Sequence, residues 1–297
     1  MMWNFDHKVL IQGIDQPKAL TYLQESNLDN LNFIAGVADE YVEINIKNIP
    51  VFDLVTEAIA TYPEINTTII FSHSYNVLDA SYEAIDAGIK QIIINSENIP
   101  PLDLVKIFQK ANSKNIKILG TSQAGILIPE KLCCGVRNAD IYQSGNVGII
   151  NYGDSIISYE LALLLQKNNL GESIIINLGN ANFIEINWEL WLNTLNQNDL
   201  TKVILISISD FSTINKEKFI TALEQVKNKP IILYFLDPNN LKSLINNGQA
   251  KIITDQIPQY LNQVLSLTSI TESLSEKGVI ITHEYQKIPT LINLSLT

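Results

Sequence analysis

The sequence predicts an α/β protein built from two doubly wound domains, and three observations predict it. Strand-like runs of Ile, Val and Leu are continuous rather than alternating, as strands buried on both faces require. Helical patterns of about a dozen residues separate them, which is the spacing of crossover connections in a parallel sheet. One stretch, 120–145, is poor in periodicity and contains Gly, Pro and Cys, so the chain divides there.

Element by element, strands are predicted at 8–12, 31–36, 67–71, 91–94 and 116–119, with helices at 17–26, 52–62, 79–88 and 101–112. A second set follows, with strands at 147–150, 173–178, 202–208, 230–235 and 251–253. Its helices fall at 155–167, 186–195, 215–226, 239–246 and 256–265. The tail changes character: 278–296 alternates enough for one hairpin, VIITHEYQ and TLINLSL, joined around Pro289. The expected boundaries are therefore a first domain at 1–120, a connecting segment at 121–145, a second domain at 146–268 and the tail at 269–297.

At 297 residues the chain is long enough for two domains with real cores. An apolar fraction of 46% against 17% charged residues is globular. The formal charge of −11 argues against nucleic acid or an anionic membrane surface as partner. No apolar run approaches the roughly 20 residues that span a bilayer, and no leader-like pattern opens the chain, so a cytoplasmic protein is expected. Cys133 and Cys134 are adjacent and form no structural zinc set, which suits small buried residues in a reducing compartment.

Ligands of open α/β sheets sit outside the carboxyl ends of the strands. That rule selects 13–18, 72–76, 95–98, 120–125, 151–155, 179–183, 209–212 and 237–240.

The stretch LDASYEAIDAGIKQIIINSENIP at 78–100 carries a helix, a glycine stop, a buried strand and a polar edge. It resembles the α subunit of succinate–CoA ligase and the NDP-forming acyl-CoA synthetases, which carry EAIDAGIK before an apolar strand and a Thr-Glu-Gly-Ile-Pro turn. VLIQGI, FIAGV, NIPVFDLVTEAI, GNVGIINYGDSIISYE and LGNANFIEINWELWL extend the resemblance from Val9 to about Leu265. It implies the succinyl-CoA synthetase-like fold: a Rossmann-like coenzyme A-binding domain followed by a flavodoxin-like, doubly wound ligase-type domain. It also implies a β-type, ATP-grasp partner subunit, and a phosphorylated histidine that shuttles phosphate.

Set against that family, the residues of the reaction are altered. The family's Gly-His-Ala-Gly-Ala segment falls where this chain reads LDPNNLKSLINNGQAKIITD, which has no histidine. The three histidines are His7, His73 and His283, and only His73 stands at a predicted ligand edge. The orienting Gly-Glu of the family aligns with Ser207-Ile208, with Asp210 nearby. In place of Ser-Arg-Ser-Gly-Thr the chain has Asn151-Tyr152-Gly153-Asp154-Ser155, in which Asp154 or Ser155 is expected to cap the helix itself.

The coenzyme A turn, Thr-Gly-Ser-Gln-Gly in the family, has become Asp15-Gln16-Pro17-Lys18-Ala19; Pro17 removes a donor and Asp15 adds repulsion. The family's lysine after the second strand aligns with Tyr41, beside Asp39 and Glu40. The resemblance then implies coenzyme A contacts at Gly13, Lys18, Asn95, Ser96 and Glu97, in a weakened site. It leaves a remnant of the ligase-domain pocket at Ser155, Tyr159 and Glu160, no catalytic residue and no metal. The expected function is a non-catalytic α-like subunit that binds a β-type partner. Two other readings stay open: an active ligase with a rearranged site at Asp210, Asp237 or His73, and a sensor that binds coenzyme A or another nucleotide without turnover.

Overall fold

A computed structural model describes residues 3–25, 33–38, 49–122, 124–136, 139–179, 186–209, 211, 214–235, 271 and 274–296. The chain forms two compact units: Met1–Tyr142 with Ile176–Ile184, and Gln143–Ile175 with Glu185–Thr297.

The first unit alternates β1 (Val9–Gln12), α1 (Pro17–Glu25), β2 (Phe33–Val37), β3 (Val51–Phe52), α2 (Val55–Thr61), β4 (Thr67–Ile70), α3 (Val77–Asp86), β5 (Gln91–Ile94), α4 (Pro101–Ser113) and β6 (Lys117–Leu119). Its six strands run parallel in the order β3-β2-β1-β4-β5-β6. This is the Rossmann order, with its direction change between β1 and β4. Leu10, Ile70, Ile92 and Ile94 pack against Val55 and Ala58 of α2, Val77 and Ala84 of α3, and Leu104 and Ile107 of α4.

The EAIDAGIK motif is spent on this packing. Glu83 accepts the backbone N–H of Val55 at 2.7 Å, capping α2, whose own Leu54 provides no cap. Asp86 pairs with Lys110 of α4 at 2.6 Å. Gly88 ends α3 at φ +90, with Gly88 N–H on Ile85 O and Ile89 N–H on Ala84 O, a Schellman closure that needs a left-handed residue. The same closure ends α4 at Asn115.

The segment 121–145, expected to be a connection, contains a hairpin of β7 (Gly125–Ile128) and β8 (Leu132–Cys134). Strands of four and three residues are too short to show a period, which is why the pattern missed them. Tyr22 of α1 fastens the hairpin: its hydroxyl donates to Cys133 O at 2.9 Å and accepts from Gly135 N at 3.0 Å. Both cysteines are free and buried, and burial pushes the Cys133 thiol up to about 12.

The second unit comprises β9 (Ser144–Tyr152), α5 (Ile156–Lys167), the start of β10 (Glu172–Gly179), α6 (Trp188–Gln197), β11 (Val203–Ile208), α7 (Lys216–Glu224), β12 (Ile231–Phe235), β13 (Ile280–Thr282) and α8 (Ile288–Leu296). Its strand order is β13-β12-β11-β9-β10. Counted from β9, this is the flavodoxin-like order 2-1-3-4-5, with the switch point between β9 and β11.

The tail is therefore not the expected hairpin. β13 adds to β12 in parallel, and Ile288 opens a helix. Pro289 occupies the first turn of α8, where its missing N–H costs nothing, and Ile288 and Ile292 are buried at helical spacing. Tyr285, between β13 and α8, donates its hydroxyl to the backbone O of Glu160 in α5. The helices expected at 239–246 and 256–265 and the strand at 251–253 lie outside the described residues.

Candidate functional site

In the first unit, Gly13, Lys18, Asn95, Ser96 and Glu97 all come to the carboxyl edge of the sheet, around the β1–β4 crevice. Gly13 follows β1 at φ +70, and a Cβ there would lie 2.7 Å from the Ser72 nitrogen, so only glycine lets the turn pass so close to the end of β4.

The polar groups at this edge bond mainly to one another. Lys18 Nζ donates to Asn95 O at 2.7 Å and to Glu97 Oε1 at 2.9 Å. Because β4 lies between β1 and β5, this bond spans the crevice from the first turn of α1 to the end of β5. Ser96 Oγ donates to Ser72 O at 2.6 Å, and Ser96 O accepts from Ser122 N, lacing the ends of β4, β5 and β6. The Asn95 amide donates to Ala124 O at 2.8 Å and Gly135 O at 3.0 Å, holding the β7–β8 hairpin.

Asn95 is thus a structural clamp with both amide hydrogens engaged. Asn95→Ala leaves two buried carbonyls without a donor and should destabilise the first unit by about 2–3 kcal/mol. Faster hydrogen exchange in β5 and β7 would register the loss; unchanged exchange would contradict the clamp.

Other groups at this edge were less legible. Gln12, last residue of β1, is buried: its amide donates to Ala80 O and its carbonyl accepts from Thr68. The Gln16 amide donates to Asp15 Oδ2, which keeps a carboxylate beside the start of α1. His73 and Tyr75, just beyond β4, stack with ring centroids 5.7 Å apart and an interplanar angle of 26°. The ligand-edge rule selected 72–76 as a range, but nothing in the sequence shows that the two rings meet.

In the second unit, Ser155, Tyr159 and Glu160 lie in and before the first turns of α5. Ser155 is the N-cap and makes no side-chain cap bond, while Asp154 Oδ1, one residue before it, accepts Ile156 N at 2.9 Å. Asn151, at the end of β9, accepts from the Ser207 hydroxyl at 2.7 Å and donates to Asp154 O at 3.0 Å. Ser207, aligned with the family's carboxylate, is therefore a buried residue that joins β11 to β9. Gly153 has φ +130, and a Cβ there would fall 1.5 Å from Ser209 Oγ. At the β9–β11 switch point, Asn151, Asp154 and Ser207 are thus bonded within the chain.

The histidines have three different surroundings. His7 is buried: Trp3 Nε1 donates to its Nε2 at 3.3 Å, which leaves Nδ1–H for Thr67 Oγ1 at 2.9 Å. Burial lowers its pKa to about 4. His73 is at the edge of the first unit. His283 is exposed just past β13 and stacks on Phe235, the last residue of β12, at 5.7 Å. Asp210 and Asp237 lie outside the described residues. Among the described residues no cluster of His, Cys, Asp and Glu could hold a metal, and no helix is long and apolar enough to cross a membrane.

Comparison with known proteins agrees with this geometry. Residues 4–98 match the CoA binding domain. The chain is 28% identical to the succinate–CoA ligase [ADP-forming] α subunit of Aquifex aeolicus over 78% of its length and 75% of that protein. It is 28% identical to the α subunit 2 of Archaeoglobus fulgidus, covering 67% of this chain and 69% of that one. In fold it is similar to the dinucleotide-forming acetyl-coenzyme A synthetase 1 of Ca. Korarchaeum cryptofilum, with TM-score 0.67, 16% identity and 94% of this chain covered. It is also similar to the ATP citrate lyase of Methanosaeta concilii in complex with (3S)-citryl-CoA, with TM-score 0.69, 13% identity and 100% covered. The chain spans only 59% and 50% of those two structures. Over most of its length the chain is thus similar to CoA-ligase-type proteins.

Proposed function

With a CoA binding domain at residues 4–98 and homology to succinate–CoA ligase α subunits over most of its length, we propose that this chain is a non-catalytic α-type subunit. It binds a β-type partner and keeps coenzyme A or a related nucleotide as the ligand of its first unit. The observation that carries the reading is the fate of the histidines. The segment after β12, where the resemblance puts the phosphorylated histidine, reads LDPNNLKSLINNGQA. Two further features support it: the Asp154 carboxylate takes the Ile156 N–H at the start of α5, where a phosphate would need it, and Ser207 stands in place of a carboxylate.

One observation favours an active ligase instead. His283 is exposed at the end of β13 and lies against Phe235, at the strand end from which the family's histidine segment departs. A rearranged nucleophile would stand there.

Mixing the full chain with a β-type subunit of a succinate–CoA ligase tests the assembly. Co-elution as a hetero-oligomer is expected, and a chain that stays apart would remove the partner from the proposal.

A further inference from the structure

We propose that the outward side of α4 is a docking row for an acidic amphipathic helix of a partner protein. The inference goes beyond the assembly and the ligand proposed above and depends on neither.

Two sides of α4 are occupied within the first unit. Leu104, Ile107 and Ala111 are buried in its core. Lys110 turns to α3, with Nζ 2.6 Å from Asp86 and 3.9 Å from the centre of the Tyr82 ring. Leu102, Val105, Gln109 and Asn112 are left on the outward side, all exposed, Leu102 at 75%. Their 3-4-3 spacing sets them in one row along the helix, the a/d pattern on which a second helix packs. Leu102 and Val105 keep apolar surface in water that such a helix would bury.

The charge of this side selects the partner. The chain has 31 acidic residues against 20 basic ones, yet α4 has a single carboxylate, Asp103. Its side chain is 21% exposed and pairs with Lys106 at 3.5 Å. Lys106, 55% exposed, flanks the row at the e position, and the exposed Lys114 ends the helix. An approaching helix therefore meets two apolar anchors, two amides and flanking lysines, which complement carboxylates. A second copy fits poorly, because antiparallel pairing sets Leu102 and Val105 of each chain against Asn112 and Gln109 of the other.

Two labelled helical peptides test this by fluorescence anisotropy on the full chain at fixed salt. Both carry Leu at a and d; one has Glu at e and g, the other Lys. The Glu peptide should bind about tenfold more tightly than the Lys peptide, the reverse of what the net charge of −11 alone would select. Leu102→Ser should weaken its binding about tenfold and Lys106→Gln about threefold. Gln109→Glu, which sets a carboxylate in the row, should weaken it about tenfold. All three positions are exposed, and an unchanged thermal melt shows that each variant keeps the fold. Leu294→Ser, at a leucine 67% exposed on α8, should change nothing. A preference for the Lys peptide, equal losses in Leu102→Ser and Leu294→Ser, or dimerisation of the chain that Leu102→Ser abolishes would overturn the proposal. Displacement of the Glu peptide by a β-type subunit would also overturn it, by giving the row to that assembly. The peptide measurements themselves contain no β-type subunit, so their failure is separate from failure of the assembly test.

Discussion

Glu172→Gln is expected to stabilise the second unit by about 2–3 kcal/mol at pH 8 and to change little near pH 4.5. Glu172 opens β10 and is 1% exposed. Its Oε2 accepts Gln143 N at 3.0 Å, while Oε1 is buried with no hydrogen-bond partner. Burial raises its pKa from 4.5 to about 7, partly offset by the backbone bonds it accepts. The folded state therefore holds the proton more tightly than the unfolded chain does. Stability is fully present below about 4.5 and is lost as pH rises through about 7. Glutamine keeps the acceptor for Gln143 and removes the charge. Urea unfolding followed by Trp188 and Trp191, at a series of pH values, should show the wild-type decline flattened in the variant. A parallel decline in both would show that another group is responsible.

The first unit should respond to pH in the opposite direction. His7 is held neutral, its pKa lowered from 6.5 to about 4 by burial, with Asp6 opposing the shift weakly. Below 6.5 the unfolded chain binds a proton that the folded one refuses. Stability is thus lost as pH falls, by about 3 kcal/mol by pH 4. Protonation would also turn Nε2 into a donor facing the Trp3 N–H. NMR titration should find His7 uncharged well below pH 6, with hydrogen exchange in β1 and β4 quickening as the pH drops. A His7 titration near 6.5 would contradict this. Together the two residues predict that acid weakens the first unit and base the second.

Much of the fold was legible because buried parallel strands announce themselves: β1, β4, β5, β9, β11 and β12 all fall on predicted apolar runs. The misses have physical reasons. The β7–β8 hairpin is fixed by Tyr22 and Asn95, residues distant in sequence, not by its own pattern. The tail misleads because Pro289 suits a turn and the start of a helix equally well. The candidate site was legible as a set of positions but not as a set of bonds. Lys18 and Glu97 were both expected to meet a ligand, and no sequence spacing reveals that two residues so far apart neutralise each other. The EAIDAGIK motif pointed to the relatives that the comparisons found, yet Glu83, Asp86 and Gly88 serve a cap, an ion pair and a helix stop.

The central proposal is that this chain carries no phosphate. Incubation of the full chain and a β-type subunit with γ-labelled ATP, then with succinate and coenzyme A, tests it most directly. The account predicts no acid-labile label on this chain and no acyl-CoA formed. Acid-labile phosphate on a histidine peptide, above all the one containing His283, would contradict it and establish the rearranged ligase in its place.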